Sequence, residues 1–128
     1  MFIVLVRSMQ FDNPEFAAAV KKTGRKKLLI AGISTDVCVA FAALSARKEG
    51  YDVYAVLDAS GTWSKLVEDA AVVRMVQAGV VPITWVAVGA ELLGTWQSST
   101  GEAHAKLMSD HLPFAANNMS GYLAAKAK

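Results

Sequence analysis

The one cysteine of this 128-residue chain, Cys38, stands where a nucleophile would be useful. It follows Gly32, which ends a short apolar run, and it falls in the opening turn of the next helix if Ser34 or Thr35 is the cap. At a helix start the dipole and the free backbone amides favour the thiolate, which is the form that attacks carbonyl carbon. Ligands of open α/β sheets gather outside the carboxyl ends of the strands, where such a turn lies. A free cysteine is equally at home as a small buried hydrophobe, so position alone leaves both readings open.

Other chemistry-bearing residues carry weaker signals. His104 and His111 lie on a polar stretch without a cluster of Cys or carboxylate partners, so they read as solvated surface groups and no metal site is expected. Trp63 follows the carboxyl end of an expected strand and is the best pocket candidate among the tryptophans, whereas Trp85 lies inside an expected strand and reads as core. Asp58 at the same strand end is placed either to reach the site or to cap the loop from Ala59 to Thr62. Lys21, Lys22, Arg25, Lys26 and Lys27 form a basic cluster at an expected helix end, where cations complement the dipole. With a net charge of +2 the chain advertises neither a nucleic-acid nor a membrane surface.

The elements that must position these residues alternate. Asn13, Pro14 and Glu15 spell a helix start, and Gly24 its end. Lys27 to Gly32 reads as a strand buried on both faces, followed by a helix from Asp36 to Glu49 with Val37, Phe41 and Leu44 spaced for one face and Gly50 beyond its end. Asp52 to Leu57 is a second buried strand, Lys65 to Ala78 a helix closed by Gly79, and Val81 to Val86 a third strand. Strands separated by helices run parallel through right-handed crossovers, which predicts a three-layer α/β/α arrangement with a parallel sheet. From Gly94 the chain turns polar and less periodic, and residues 98–128 are expected to form an arm of short helices that packs on a neighbouring subunit. A hydrophobic content of 54% supports one compact domain over residues 1–128. The lone cysteine excludes an internal disulfide and suits a reducing cytoplasm. Met1 to Val6 lacks the charged flank and length of a leader and reads as a strand-like start, and no run reaches the roughly 20 apolar residues of a spanning helix.

The stretch Ala31-Gly32-Ile33-Ser34-Thr35-Asp36-Val37-Cys38-Val39-Ala40 resembles the nucleophile motif of the isochorismatase-like cysteine hydrolases. The likeness continues through Asn13 to Phe16, Ala43 to Ala46, Glu49-Gly50-Tyr51, Asp58 to Thr62, Arg74-Met75, Ala78-Gly79, Thr84-Trp85 and Glu91-Leu92, residues similar to a branch of small oligomeric bacterial hydrolases. The resemblance implies a Rossmann-like isochorismatase-type fold and a small amide or related acyl substrate attacked by Cys38 to give an acyl-enzyme. It implies an oxyanion hole from the amides of Ser34 and Cys38 and a cis Ile33–Ser34 peptide. Ile33 and Thr35 beside that motif, and Trp63 from its position after the strand, are the expected substrate-binding residues. It implies no cofactor and a homo-oligomer. The family also places an aspartate general base at the end of a first strand and a lysine on a later strand, both upstream of the cysteine. Asp12, Asp36, Lys21, Lys22, Lys26 and Lys27 match neither, so the chain reads as a member lacking its N-terminal strands and impaired in turnover. The rival reading is a non-catalytic fragment or oligomeric scaffold that keeps the fold. A nucleotide-binding module is disfavoured, because no glycine-rich phosphate loop follows any strand.

Overall fold

The computed structural model describes residues 2–5, as backbone, and 13–127. It divides into two compact units, Met1–Trp85 and Val86–Lys128.

The first unit is a four-stranded parallel sheet in the order β1 (Phe2–Leu5), β2 (Lys27–Ala31), β3 (Asp52–Val56), β4 (Val81–Ile83). Three crossover helices link the strands: α1 (Pro14–Lys22), α2 (Ala40–Lys48) and α3 (Lys65–Gln77). The Asn13 side chain caps α1 by accepting from the Glu15 and Phe16 amides at 2.9 and 3.2 Å, with Pro14 in the first turn where no donor is needed. Positive φ at Gly24, Gly50 and Gly79 lets the chain leave each helix toward the next strand. The edge of β2 that would expose unpaired amides is covered by Phe2–Leu5, in parallel register from Phe2 opposite Leu28 to Leu5 opposite Ala31.

The core shows why β2 reads as a continuous apolar run. Leu28 and Ile30 on one face join Val53 and Ala55 of β3, Val20 of α1, four alanines of α2 and Met75 of α3 in a single buried cluster. Leu29 and Ala31 on the other face of β2 are buried as well. Helix α2 meets this cluster through Ala40, Ala42, Ala43 and Ala46, not through the larger residues. Val37 is exposed, and Phe41 and Leu44 are only half-buried, so the stripe they form is not the core face; small side chains let the helix lie close to the sheet. Phe41 instead offers its ring to the Arg74 guanidinium, 5.1 Å away.

The boundaries on either side of Thr84 depart from expectation. The last strand stops at Ile83, and Trp85 opens helix α4 (Trp85–Leu93) as a half-buried residue instead of lying inside a strand. The cause is Asp58, whose carboxylate accepts from the Trp85 amide at 2.8 Å and so caps a helix 27 residues downstream, neither entering the nucleophile turn nor closing its own loop.

The second unit is helical, with α4 continuing into it, then α5 (Gly101–His111) and α6 (Pro113–Lys126). Helices α5 and α6 flank an apolar cleft of about 380 Å³ lined by residues that include Trp96, Met108, Phe114, Met119 and Tyr122. His104 meets the edge of Trp96 with ring centroids 5.4 Å apart.

Candidate active site at the β2 to α2 turn

The chain leaves β2 through Gly32 and is tied at once to the loop beyond β3. Ser60 Oγ donates to the Val56 carbonyl at 2.7 Å and accepts from the Gly32 amide at 3.3 Å, joining the ends of the two strands. The Gly61 amide donates to the Gly32 carbonyl at 3.0 Å, and Ile33 and Gly61 form a further parallel bridge. The Gly61 carbonyl accepts twice from Thr35, from its amide at 2.7 Å and its hydroxyl at 2.8 Å. Space favours a glycine here: a Cβ at 61 would stand 2.9 Å from Ile33 Cγ1, and that side chain would have to shift.

The turn that follows is wider than an α-helix. Thr35–Val39 form a π turn before α2, with the Val39 amide reaching back to the Ser34 carbonyl at 3.0 Å and the Ala40 amide to that of Thr35. Such single π turns concentrate at functional sites. Ser34, the extended residue before it, is buried, and the Ile33–Ser34 peptide is cis, as the resemblance implies. Cys38 is carried in this π turn, half-buried and free of any disulfide.

The remaining expected site residues divide. Ile33 and Trp63 are exposed, at 72% and 75%. Thr35 is buried at 1%, and its hydroxyl donates to the Gly61 carbonyl, which ties the turn to the loop beyond β3. Asp36 has one carboxylate oxygen, Oδ1, buried without a hydrogen-bond partner among the described residues. Asp12 lies outside the described residues. Lys27 sits over the Tyr54 ring, 5.8 Å from its centroid, and Lys21 and Lys22 end α1. No group of three His, Cys, Asp or Glu among the described residues is arranged to hold a metal ion. Ser60 and Gly61 are the residues that sequence reasoning left without a role. Their signal was a small polar residue and a glycine just past a buried strand.

A parallel α/β sheet with a wide strand-to-helix turn carrying a cysteine, stapled to the neighbouring strand's loop, defines a class of fold and site. The Isochorismatase domain model matches residues 7–87, and the chain belongs to that family. The probable hydrolase YcaC of Escherichia coli (strain K12) is 47% identical over 112 residues, covering 88% of this chain and 53% of the relative. The structure of YcaC from Pseudomonas aeruginosa, with hexane-2,5-diol and covalent acrylamide, superposes with a TM-score of 0.85 at 46% identity, over 91% of this chain and 57% of that one. The Escherichia coli YcaC structure, described as an octameric hydrolase of unknown specificity, gives 0.84 at 45% identity, over 93% and 58%. The chain thus spans somewhat over half the length of these relatives.

Proposed function

We propose that the protein is a cysteine hydrolase acting on a small amide or related acyl substrate through Cys38. The observation that carries this reading is the family motif's cysteine standing, half-buried, in the stapled π turn after β2. In the reaction the Cys38 sulfur attacks the carbonyl carbon, and the oxygen takes up negative charge facing the Ser34 and Cys38 amides. The amine then departs with a proton, leaving a thioester. Water attacks the thioester, releases the acid and returns the thiol. That a 46% identical relative carries covalent acrylamide, an electrophile that is itself a small amide, agrees with a reactive nucleophile in this branch.

The base and the lysine that the family supplies upstream have no matched counterpart within these 128 residues. We therefore assign the 128-residue chain thiol reactivity but slow turnover, and read it as one partial hydrolase domain with residues 98–128 as its arm. We also assign it a cytoplasmic location, which a lone free cysteine suits, and a homo-oligomeric state. Support for the last comes from the octameric relative and from exposed apolar residues on α3 (Leu66, Val73, Val76) and, in the helical unit, on α6 (Phe114, Tyr122, Leu123). Among the described residues no helix is long and apolar enough to cross a membrane.

Mass spectrometry after iodoacetamide labelling, with a panel of small amides assayed in parallel, tests the assignment. Cys38 is expected to alkylate faster than a small thiol whose pKa is about 8.5, and Cys38→Ala to abolish both labelling and residual turnover. Turnover that survives Cys38→Ala would refute the proposed nucleophile.

A further inference from the structure

The two described segments that frame Cys38, the turn after β2 and the loop after β3, carry little charge and much exposed apolar surface. Ile33, Val37 and Trp63 are exposed at 72%, 38% and 75%. Ile33 and Val37 come from the turn that carries the cysteine, while Trp63 comes from the loop held against that turn through Gly61. Trp63 is fixed between two anchors: the Gly61 backbone on one side and Ser64 on the other, where Ser64 caps α3 and its carbonyl accepts from the Thr62 hydroxyl at 3.2 Å. Neither segment, 32–39 nor 59–64, contains a Lys, Arg or His. The only ionisable groups on them besides the thiol belong to Asp36, whose Oδ1 is buried. The first cation beyond them, Lys65, is paired with Asp69, and the Asp58 carboxylate bonds the Trp85 amide.

An anionic substrate needs a cation or a cluster of donors, and large exposed side chains gain free energy only by covering apolar surface. We infer that Ile33, Val37 and Trp63 form an apolar rim that selects uncharged amides bearing an apolar group over charged ones. This rests on Cys38 being the nucleophile, and deepens that reading by naming the substrate class. The rim also explains the use of Gly61. Ile33 lies across it where a Cβ would stand, so the glycine sets the height at which the isoleucine side chain is presented beside the turn.

Alkylation reads the preference without needing turnover, because the Cys38 thiolate displaces iodide from a haloacetyl carbon, forming the S–C bond as the C–I bond breaks. Second-order rates would be measured on the 128-residue chain with N-benzyl-iodoacetamide, iodoacetamide and iodoacetate, each divided by its rate with N-acetylcysteine amide. The benzyl reagent is expected to exceed iodoacetamide by about tenfold after that division, the worth of covering part of an aromatic ring, and iodoacetate to fall below it. Ile33→Ser and Trp63→Ala should each lower the benzyl preference several-fold, with circular dichroism reporting that the fold persists. A normalised benzyl ratio near one, or a preference for iodoacetate, would overturn the apolar rim while leaving a fast iodoacetamide reaction to support the nucleophile. Rates no faster than the small thiol for all three reagents would overturn the nucleophile and the rim together.

Discussion

At the scale of single residues, the turn around Cys38 depends on groups that do no chemistry. Thr35 donates two hydrogen bonds to the Gly61 carbonyl, from its amide at 2.7 Å and from its buried hydroxyl at 2.8 Å. Thr35→Val keeps the shape and removes the hydroxyl, so the expected loss is about 1–2 kcal/mol in chemical denaturation, together with slower Cys38 alkylation as the turn loosens. Gly61→Ala tests the same joint from the other side. Its Cβ would fall 2.9 Å from Ile33 Cγ1, and because Ile33 is exposed the side chain has somewhere to go. The expected result is therefore a modest drop in melting temperature with a larger drop in Cys38 reactivity, which a paired thermal scan and alkylation assay would read. A large stability loss with unchanged reactivity would mean that Gly61 serves the sheet and not the turn.

At the scale of elements, what was legible in the sequence was whatever a local pattern determines. The Asn13-Pro14-Glu15 start of α1, the apolar run of β2 and the glycines after α1, α2 and α3 each write their own geometry, and the structure has them where they were expected. What was not legible depended on partners distant in sequence. The start of α4 at Trp85 is set by Asp58, and an apolar run from Val81 to Val86 gives no local sign that a remote carboxylate will cap a helix in its midst. The core face of α2 was hidden for another reason: alanines are small, and a periodicity that weighs large apolar residues picks the stripe of Val37, Phe41 and Leu44, which packing leaves at the surface. For the site, the motif offered Cys38 and Ser34 as candidates and the position after β3 offered Trp63, whereas the burial of Thr35 against Gly61 was not legible, because only the fold brings those two residues together. The Asp58 cap gives a test at this scale. Asp58→Ala removes an acceptor for the first amide of α4, and the expected cost is about 1 kcal/mol of stability, with hydrogen exchange at Trp85 accelerated while β2 and β3 stay protected.

At the scale of the whole molecule, the exposed apolar surface and the unmatched base bear on the same question, which is how much of an enzyme these 128 residues make. Leu66, Val73 and Val76 are exposed at 79%, 56% and 49% along one stripe of α3, a row of apolar side chains that a second copy of the chain could cover. Replacing Leu66 and Val73 together by Glu puts like charges into any symmetric contact through α3 without disturbing the buried Ala71 and Met75. Light scattering should show an oligomer for the parent chain and a smaller species for the double variant; a parent that runs as a monomer at micromolar concentration would refute the assembly. Turnover asks for more than assembly. Attack and thioester formation need a group to take the thiol proton, pass it to the leaving amine and then activate water, and a positioned acid–base group typically contributes roughly 10²- to 10⁴-fold to such steps. Asp36 is the only carboxylate within the turn, and its Oδ1 is buried without a partner among the described residues, a poor arrangement for relaying protons to a leaving group. The comparison that decides is between this chain and a version carrying, upstream, the aspartate- and lysine-bearing strands that the family supplies, each assayed on neutral apolar amides. The longer protein should be faster by roughly that 10²- to 10⁴-fold, while the rates of Cys38 alkylation stay within about tenfold of each other, because the π turn and its staples to Ser60 and Gly61 are present in both. Equal turnover, abolished in both by Cys38→Ala and in the short chain by Asp36→Asn, would make Asp36 the working base and the 128 residues a sufficient enzyme.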